Sequence, residues 1–168
     1  MADGDATSEY ERILAENARY TEAFDGSKLE AAPLSGLAII TCMDARISVE
    51  QALGLRIGDA HVIRNAGGLA TDDAIRSLIV SQELLGTDEV IVIGHTYCGL
   101  AGIDDDAIAT RLASRTGRRL DLALGGFADV EDAILASVER LRTHPWIRRV
   151  PVHGLLFDVR TGRLTEIA

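Results

Sequence analysis

Three short apolar runs separated by helix-forming stretches constrain this chain more than any other feature. They are "LAIITC" from Leu37, "AHVIRNAGG" from Ala60, which ends in a glycine turn, and "EVIVIGH" from Glu89. The third is too apolar to face water on either side, so it predicts a strand covered on both faces. Between the runs lie helical patterns. "SVEQALGL" opens on Ser48 with Gln51 three residues on, a spacing that predicts a capping box. "TDDAIRSLIVSQELLG" carries Thr71 as N-cap, acids in its first turn, Ile75, Leu78, Ile79 and Leu85 on one face, and Gly86 as its stop. Residues 104–116 and 129–142 also read as helices, the second with Val130, Ile134, Val138 and Leu141 in one stripe. The acids Asp104, Asp105 and Asp106 mark a helix N-terminus rather than a hard-cation site. "VPVHGLLFDVRTGRLTEI" reads as a strand, a turn at Thr161-Gly162 and a short last strand. Alternating strands and helices imply an α/β fold with a mainly parallel sheet, in which ligands sit beyond the carboxyl ends of the strands.

The remaining bulk properties narrow the class. A chain of 168 residues is about one domain, and residues 1–168 are expected to form a single one, with 1–7 flexible. Aromatics make up only 4% against 47% hydrophobic residues, so the core must be aliphatic. A net charge of −9 disfavours nucleic-acid binding. The sequence has no apolar run long enough for a membrane span, and "MADGDATSEYERIL" lacks the basic and apolar regions of a secretory signal, so a cytoplasmic location is expected. Residues 8–24 form an amphipathic pattern with Tyr10, Ile13, Leu14 and Ala18 on one stripe, continued by Phe24, suited to packing across a neighbour.

Three strand ends gather the chemistry: "TCMDAR", "RNAGG" and "GHTYCG". All three should open on one side of the sheet. Cys42 ends the first run, His95 ends the third, and Cys98 follows in a His-x-x-Cys spacing. Two thiolates and an imidazole suit tetrahedral Zn²⁺, and three protein ligands leave one position open, the pattern of catalytic rather than structural zinc. Two thiolates also cancel the metal's charge, so it would activate water less strongly than a site of three neutral imidazoles. Asp44 and Arg46 are placed to help. An ionised Asp44 can accept a hydrogen bond from the metal's water, and Arg46 can fork onto Asp44 and keep its pKa low. Plainer readings stand beside these: Cys42 as a small buried hydrophobe, a Cys42–Cys98 disulfide, and Asp44–Arg46 as a surface ion pair. His61, His144 and His153 match no ligand spacing and are read as structural.

"CMDAR", "VIRNAGG" and "GHTYCG", in this order and spacing, resemble a β-class carbonic anhydrase. The chain length, the helix at 8–24 and the ending "HGLLFDVRTGRL" are similar to its small prokaryotic branch, and the resemblance spans roughly residues 8–168. It implies a parallel sheet of four strands with a fifth at its edge, flanked by helices, in a homodimer or higher oligomer whose N-terminal helix packs on the partner. It implies Cys42, His95 and Cys98 as ligands of one Zn²⁺ per chain and Asp44 with Arg46 as the catalytic dyad. The implied reaction is reversible hydration of CO₂ to bicarbonate and a proton through a zinc-bound hydroxide. Members of the family also adopt a closed form in which this aspartate replaces the water, favoured at lower pH. The turn Asn65-Ala66-Gly67-Gly68 would line the substrate pocket, where glycine permits close approach.

The sequence departs from the family at Tyr97, where many relatives carry a small or acidic residue; this ring can narrow the pocket mouth or cover the interface. Arg64 and Asn65 can bind substrate, or brace the glycine turn, which is the favoured reading. A hydrolase of carbonyl sulfide or carbon disulfide would use the same zinc ligands, since those substrates are linear and apolar like CO₂. A non-catalytic zinc or redox sensor is the third reading, and it leaves Asp44 and Arg46 without a task.

Overall fold

The computed structural model describes residues 8–168; the flexibility expected for residues 1–7 lies outside them. The chain is organised as two compact units, Met1–Glu30 and Ala31–Ala168. The described part of the first is dominated by helix α1, Glu9–Ala23. Ser8 caps it: its hydroxyl accepts from the Glu11 amide at 3.2 Å, and the Glu11 carboxylate accepts from the Ser8 amide at 2.8 Å. This reciprocal box satisfies two amides that a helix start leaves without partners. No residue of α1 is buried.

The second unit holds a five-stranded sheet. Its elements run β1 (Leu37–Cys42), α2 (Val49–Leu53), β2 (Ala60–Asn65), α3 (Asp72–Glu83), β3 (Glu89–His95), α4 (Asp105–Thr116), α5 (Val130–Thr143), β4 (Val152–Phe157) and β5 (Leu164–Glu166). The strand order is β2-β1-β3-β4-β5, with the first four parallel and β5 antiparallel to β4. The four parallel strands and the added edge strand are as the sequence leads one to expect. The tail extends the edge, since Gly154 donates to the Ala168 carbonyl at 2.7 Å and accepts from the Ile167 amide at 2.8 Å.

Period-two alternation divides the core into two layers. Ala38, Ile40, Val90 and Val92 pack on one side with Leu78 of α3 and Ile134, Val138 and Leu141 of α5. Ile39, Ile93 and Phe157 pack on the other with Ile47 and Val49. Helix α5 lies close to the sheet because Gly94 and Gly154 present no side chain there. A Cβ on either would stand 2.7 Å from an Ile134 side-chain carbon.

Three helix starts follow the sequence reading. Thr71 accepts from the Ala74 amide, Asp104 from the Ala107 amide, and Asp129 from the amides of Glu131 and Asp132. One does not. Ser48 stands at the N-cap of α2, but its side chain makes no capping bond. That helix is only five residues long, and the burial of Ile47 and Val49 anchors it instead. Helix α3 also ends earlier than the apolar pattern, at Glu83, and the left-handed turn at Gly86 (φ 77°) follows it. Among the described residues, no helix is long and apolar enough to cross a membrane.

Candidate metal centre

Parallel pairing carries the three sequence motifs to one edge of the sheet. Cys42 and Asn65 are register partners at the ends of β1 and β2, and His95 closes β3 on the other side of β1. Cys98 lies one turn beyond His95. The donor atoms of Cys42, His95 and Cys98 all fall within 4.8 Å of one another, and all three residues are buried. Both cysteines are free thiols, so the disulfide reading does not describe this structure.

The imidazole is set for a ligand. His95 Nδ1 donates to the Thr96 carbonyl at 2.9 Å, which fixes the tautomer and leaves a lone pair on Nε2. His95 is fully buried, and its Nε2 has no hydrogen-bond partner within the protein. A buried acceptor without a partner costs free energy unless something occupies its lone pair. The thiols point to the same conclusion. Burial pushes the Cys98 thiol up, and the neighbouring Cys42 and Asp44 add to that shift. A divalent cation would reverse the balance by stabilising both thiolates. Donor set, spacing and the orphaned nitrogen therefore fit zinc.

The dyad lies beside this cluster. Arg46 Nε donates to Asp44 Oδ1 at 2.8 Å and Nη2 to Oδ2 at 2.7 Å, a bidentate fork reinforced by the Arg46 amide on Oδ1 at 2.9 Å. The Arg46 guanidinium beside it holds the Asp44 carboxyl well below the usual carboxylate range, and the carboxylate in turn raises Arg46. Asp44 Oδ2 stands 3.7 Å from His95 Nε2. Asp44 is ionised at any neutral pH and borders the place a metal would take.

Arg64 braces the loop after β1. Its Nε donates to the Cys42 carbonyl at 2.9 Å, Nη1 to Ile47 at 3.2 Å and Nη2 to Asp44 at 2.7 Å. One guanidinium thus ties down the whole loop that carries a ligand and the dyad. Asn65 braces the glycine turn in the same way, accepting from the Leu69 amide at 2.9 Å and donating to the Leu69 carbonyl at 2.7 Å. Gly68 has φ 67°, and a Cβ there would stand 2.8 Å from the Cys42 amide nitrogen, so this turn presses on the ligand strand and admits only glycine. Gly67 and Gly68 are buried. Asn65 and Ala66 border a cleft of about 850 Å³ with Leu69, Phe127 and Arg140, and none of Cys42, Asp44, His95 and Cys98 lines it. Tyr97 is 59% exposed, and its carbonyl accepts from Arg46 Nη2 at 2.9 Å.

The histidines outside the cluster make ordinary contacts. His61 bonds Ser81 and the Ala31 carbonyl, His144 accepts from the Trp146 amide, and His153 meets Glu89. Sequence reasoning missed the second tie on the His95–Cys98 loop. Thr96 donates its amide to the Phe157 carbonyl, its hydroxyl accepts from the Val159 amide, and the Arg160 guanidinium lies over the Tyr97 ring at 4.0 Å. These partners are too far along the chain for any local pattern to announce them.

A parallel α/β sheet with a Cys-His-Cys cluster and a carboxylate–guanidinium fork at its carboxyl edge defines a class of metal-dependent enzyme. A family profile described as carbonic anhydrase matches residues 37–164. The chain is 41% identical to beta-carbonic anhydrase 1 of Mycobacterium tuberculosis over 155 residues, covering 92% of this chain and 94% of that protein. It is 39% identical over 148 residues to a carbon disulfide hydrolase of Acidithiobacillus thiooxidans, covering 75% of this chain and 74% of that one. The crystal structure of a carbonic anhydrase from Streptococcus mutans superposes with a TM-score of 0.91 at 35% identity, covering 97% and 99% of the two chains. The chain belongs to the β-carbonic anhydrase family.

Proposed function

We propose that this protein catalyses the reversible hydration of CO₂ to bicarbonate and a proton, with one Zn²⁺ held by Cys42, His95 and Cys98. The observation that carries this reading is the fully buried His95 Nε2, without a partner, facing two thiols and bordered by the Asp44–Arg46 fork. When bound, zinc supplies the Lewis acidity that lets water act as a nucleophile near neutral pH.

The chain's own residues do the rest. Asp44, kept ionised by Arg46, accepts a hydrogen bond at Oδ2 from the attacking water and so orients its lone pair. Arg46 keeps both carboxylate oxygens in a fixed plane. Arg64 holds the loop carrying Asp44 through three main-chain carbonyls. The Thr96 carbonyl keeps the proton on His95 Nδ1. Asn65 holds the turn Ala66-Gly67-Gly68, whose Gly68 lies against the ligand strand at Cys42. CO₂ hydration on zinc-loaded protein, followed by stopped flow near pH 8.5, is the test. Rapid turnover with one zinc per chain is expected; no turnover at full zinc occupancy would overturn the reading.

A second reading is favoured by one observation, the 39% identity to a carbon disulfide hydrolase. Carbon disulfide is linear and apolar like CO₂, and the same site would hydrolyse it to sulfide. Sulfide release from carbon disulfide or carbonyl sulfide, with no CO₂ hydration, would replace the first reading by this one.

The working form on this proposal is a homodimer or larger homo-oligomer. Helix α1 buries none of its residues and leaves Tyr10, Ile13 and Leu14 exposed, which suits a partner subunit. Light scattering giving a monomer mass would refute it. Cys42 and Cys98, both free, suit the reducing cytoplasm, and recovery of the protein outside the cytoplasmic fraction would refute that location.

A further inference from the structure

Tyr97 is, among the described residues, the one non-glycine residue with positive φ, at 54°. A bulky residue in the left-handed region is unfavourable and persists only where its surroundings hold it there. What the conformation achieves is visible at its carbonyl. Tyr97 O accepts from Arg46 Nη2 at 2.9 Å, while the same nitrogen donates to Asp44 Oδ2 at 2.7 Å and Nε to Oδ1 at 2.8 Å. Three hydrogen bonds from two of its nitrogens hold the guanidinium in one orientation. Two of these bonds go to the residue it must orient, and only the Tyr97 carbonyl is an outside reference.

Something must then hold Tyr97, whose ring is mostly exposed. The turn after β4 does so. The Thr96 amide donates to the Phe157 carbonyl at 3.0 Å, and the Val159 amide donates to the Thr96 hydroxyl at 3.2 Å. The Arg160 guanidinium then caps the Tyr97 ring at 4.0 Å. Arg160 is itself set by its amide, which donates to Asp158 Oδ1 at 2.8 Å.

We propose that Arg160 is a positioning residue: its contact with the Tyr97 ring holds the left-handed loop whose carbonyl fixes Arg46, and so sets the geometry of the Asp44–Arg46 fork. The activity arm of the test rests on the CO₂-hydration reading; the spectroscopic arm does not. In the zinc-loaded full chain, exchange of the Arg46 Nε–H with water is followed by ¹⁵N NMR, alongside kcat, KM and zinc content. R160A is expected to speed that exchange and lower kcat by about two- to fivefold, the size of an exposed cation–π contact, with zinc content and KM unchanged. R160K, which keeps a cation over the ring, is expected to recover most of both. In a Y97L background, R160A is expected to add nothing further. Unchanged Arg46 exchange in R160A, or an equal further loss in the Y97L background, would overturn the proposal. A wild-type protein that does not hydrate CO₂ would defeat the functional reading alone, and the exchange measurement would still decide the role of Arg160.

Discussion

The two loops that meet at the candidate metal centre are built on opposite terms. The loop after β1, Cys42 to Ile47, is satisfied by the protein itself. Arg64 takes up three of its carbonyls, Arg46 forks onto Asp44, and the Ile47 amide closes back on the Asp44 carbonyl at 3.1 Å. The loop after β3, His95 to Cys98, is left with an orphaned imidazole nitrogen, a thiol whose ionisation burial opposes, and a tyrosine in the left-handed region. Apart from the Cys42 thiol, the first loop is complete as protein; the second is completed by a ligand. The difference teaches where the metal's contribution to stability should fall.

The strongest way to break this contrast is at Cys98. Cys98→Ser removes a thiolate from the incomplete loop and is expected to weaken zinc binding by about a thousandfold, measured by competition with a chromogenic chelator. Full retention of zinc would mean that Cys98 is not a ligand.

Asp44→Asn probes the self-sufficient loop. It is expected to retain zinc while slowing CO₂ hydration by about a hundredfold, within the usual range for a positioned proton acceptor. An unchanged rate would remove Asp44 from the mechanism. The same substitution has a pH signature. The folded-state pKa of Asp44 is depressed by Arg46, so its stabilisation is present above the unfolded carboxyl pKa of about 3.9 and is lost as the pH falls below that value. Acid unfolding followed by circular dichroism should therefore be steeper in the native chain than in Asp44→Asn. Identical acid limbs would deny the fork any linkage to folding.

Arg64→Lys replaces a planar donor of three hydrogen bonds by a point charge. It is expected to cost about 1–2 kcal/mol in urea unfolding, since a lysine can serve only part of the set. No loss would show that the brace is dispensable.

The smallest expected effect is the most direct comparison of the two loops. Removing zinc with a chelator should raise amide hydrogen exchange across residues 95–98 several-fold and leave residues 43–47, beyond the ligand Cys42, nearly unchanged. Equal change in both loops would erase the contrast.

Much of this was legible before any coordinates. Apolar runs marked β1, β2 and β3 because both faces of a central parallel strand are covered, and their alternation with helices implied the sheet. The spacing of Cys42, Asp44 and Arg46 and of His95 and Cys98 held the candidate chemistry because each set lies within one turn of chain. Local capping was less reliable. Ser48 has the spacing of a capping box and does not make one, whereas Ser8, to which no cap was assigned, makes a complete one. A short helix anchored by buried Ile47 and Val49 has little need of its cap; α1, which buries nothing, depends on local bonds.

The sequence by itself determined the residue types at the strand ends: two thiols, an imidazole, a carboxylate and a guanidinium, with glycines where Cys42 is approached too closely for a side chain. Only the tertiary structure decided how they are oriented. Arg64 reaches back from β2 to clamp the loop after β1, the Thr96 carbonyl selects the tautomer of His95, and Arg160 stacks on Tyr97 from the turn after β4. Residue spacing along one strand is set by covalent geometry and can be read directly. Contacts between strands depend on register and twist, and these are settled only when the whole sheet is packed against its helices.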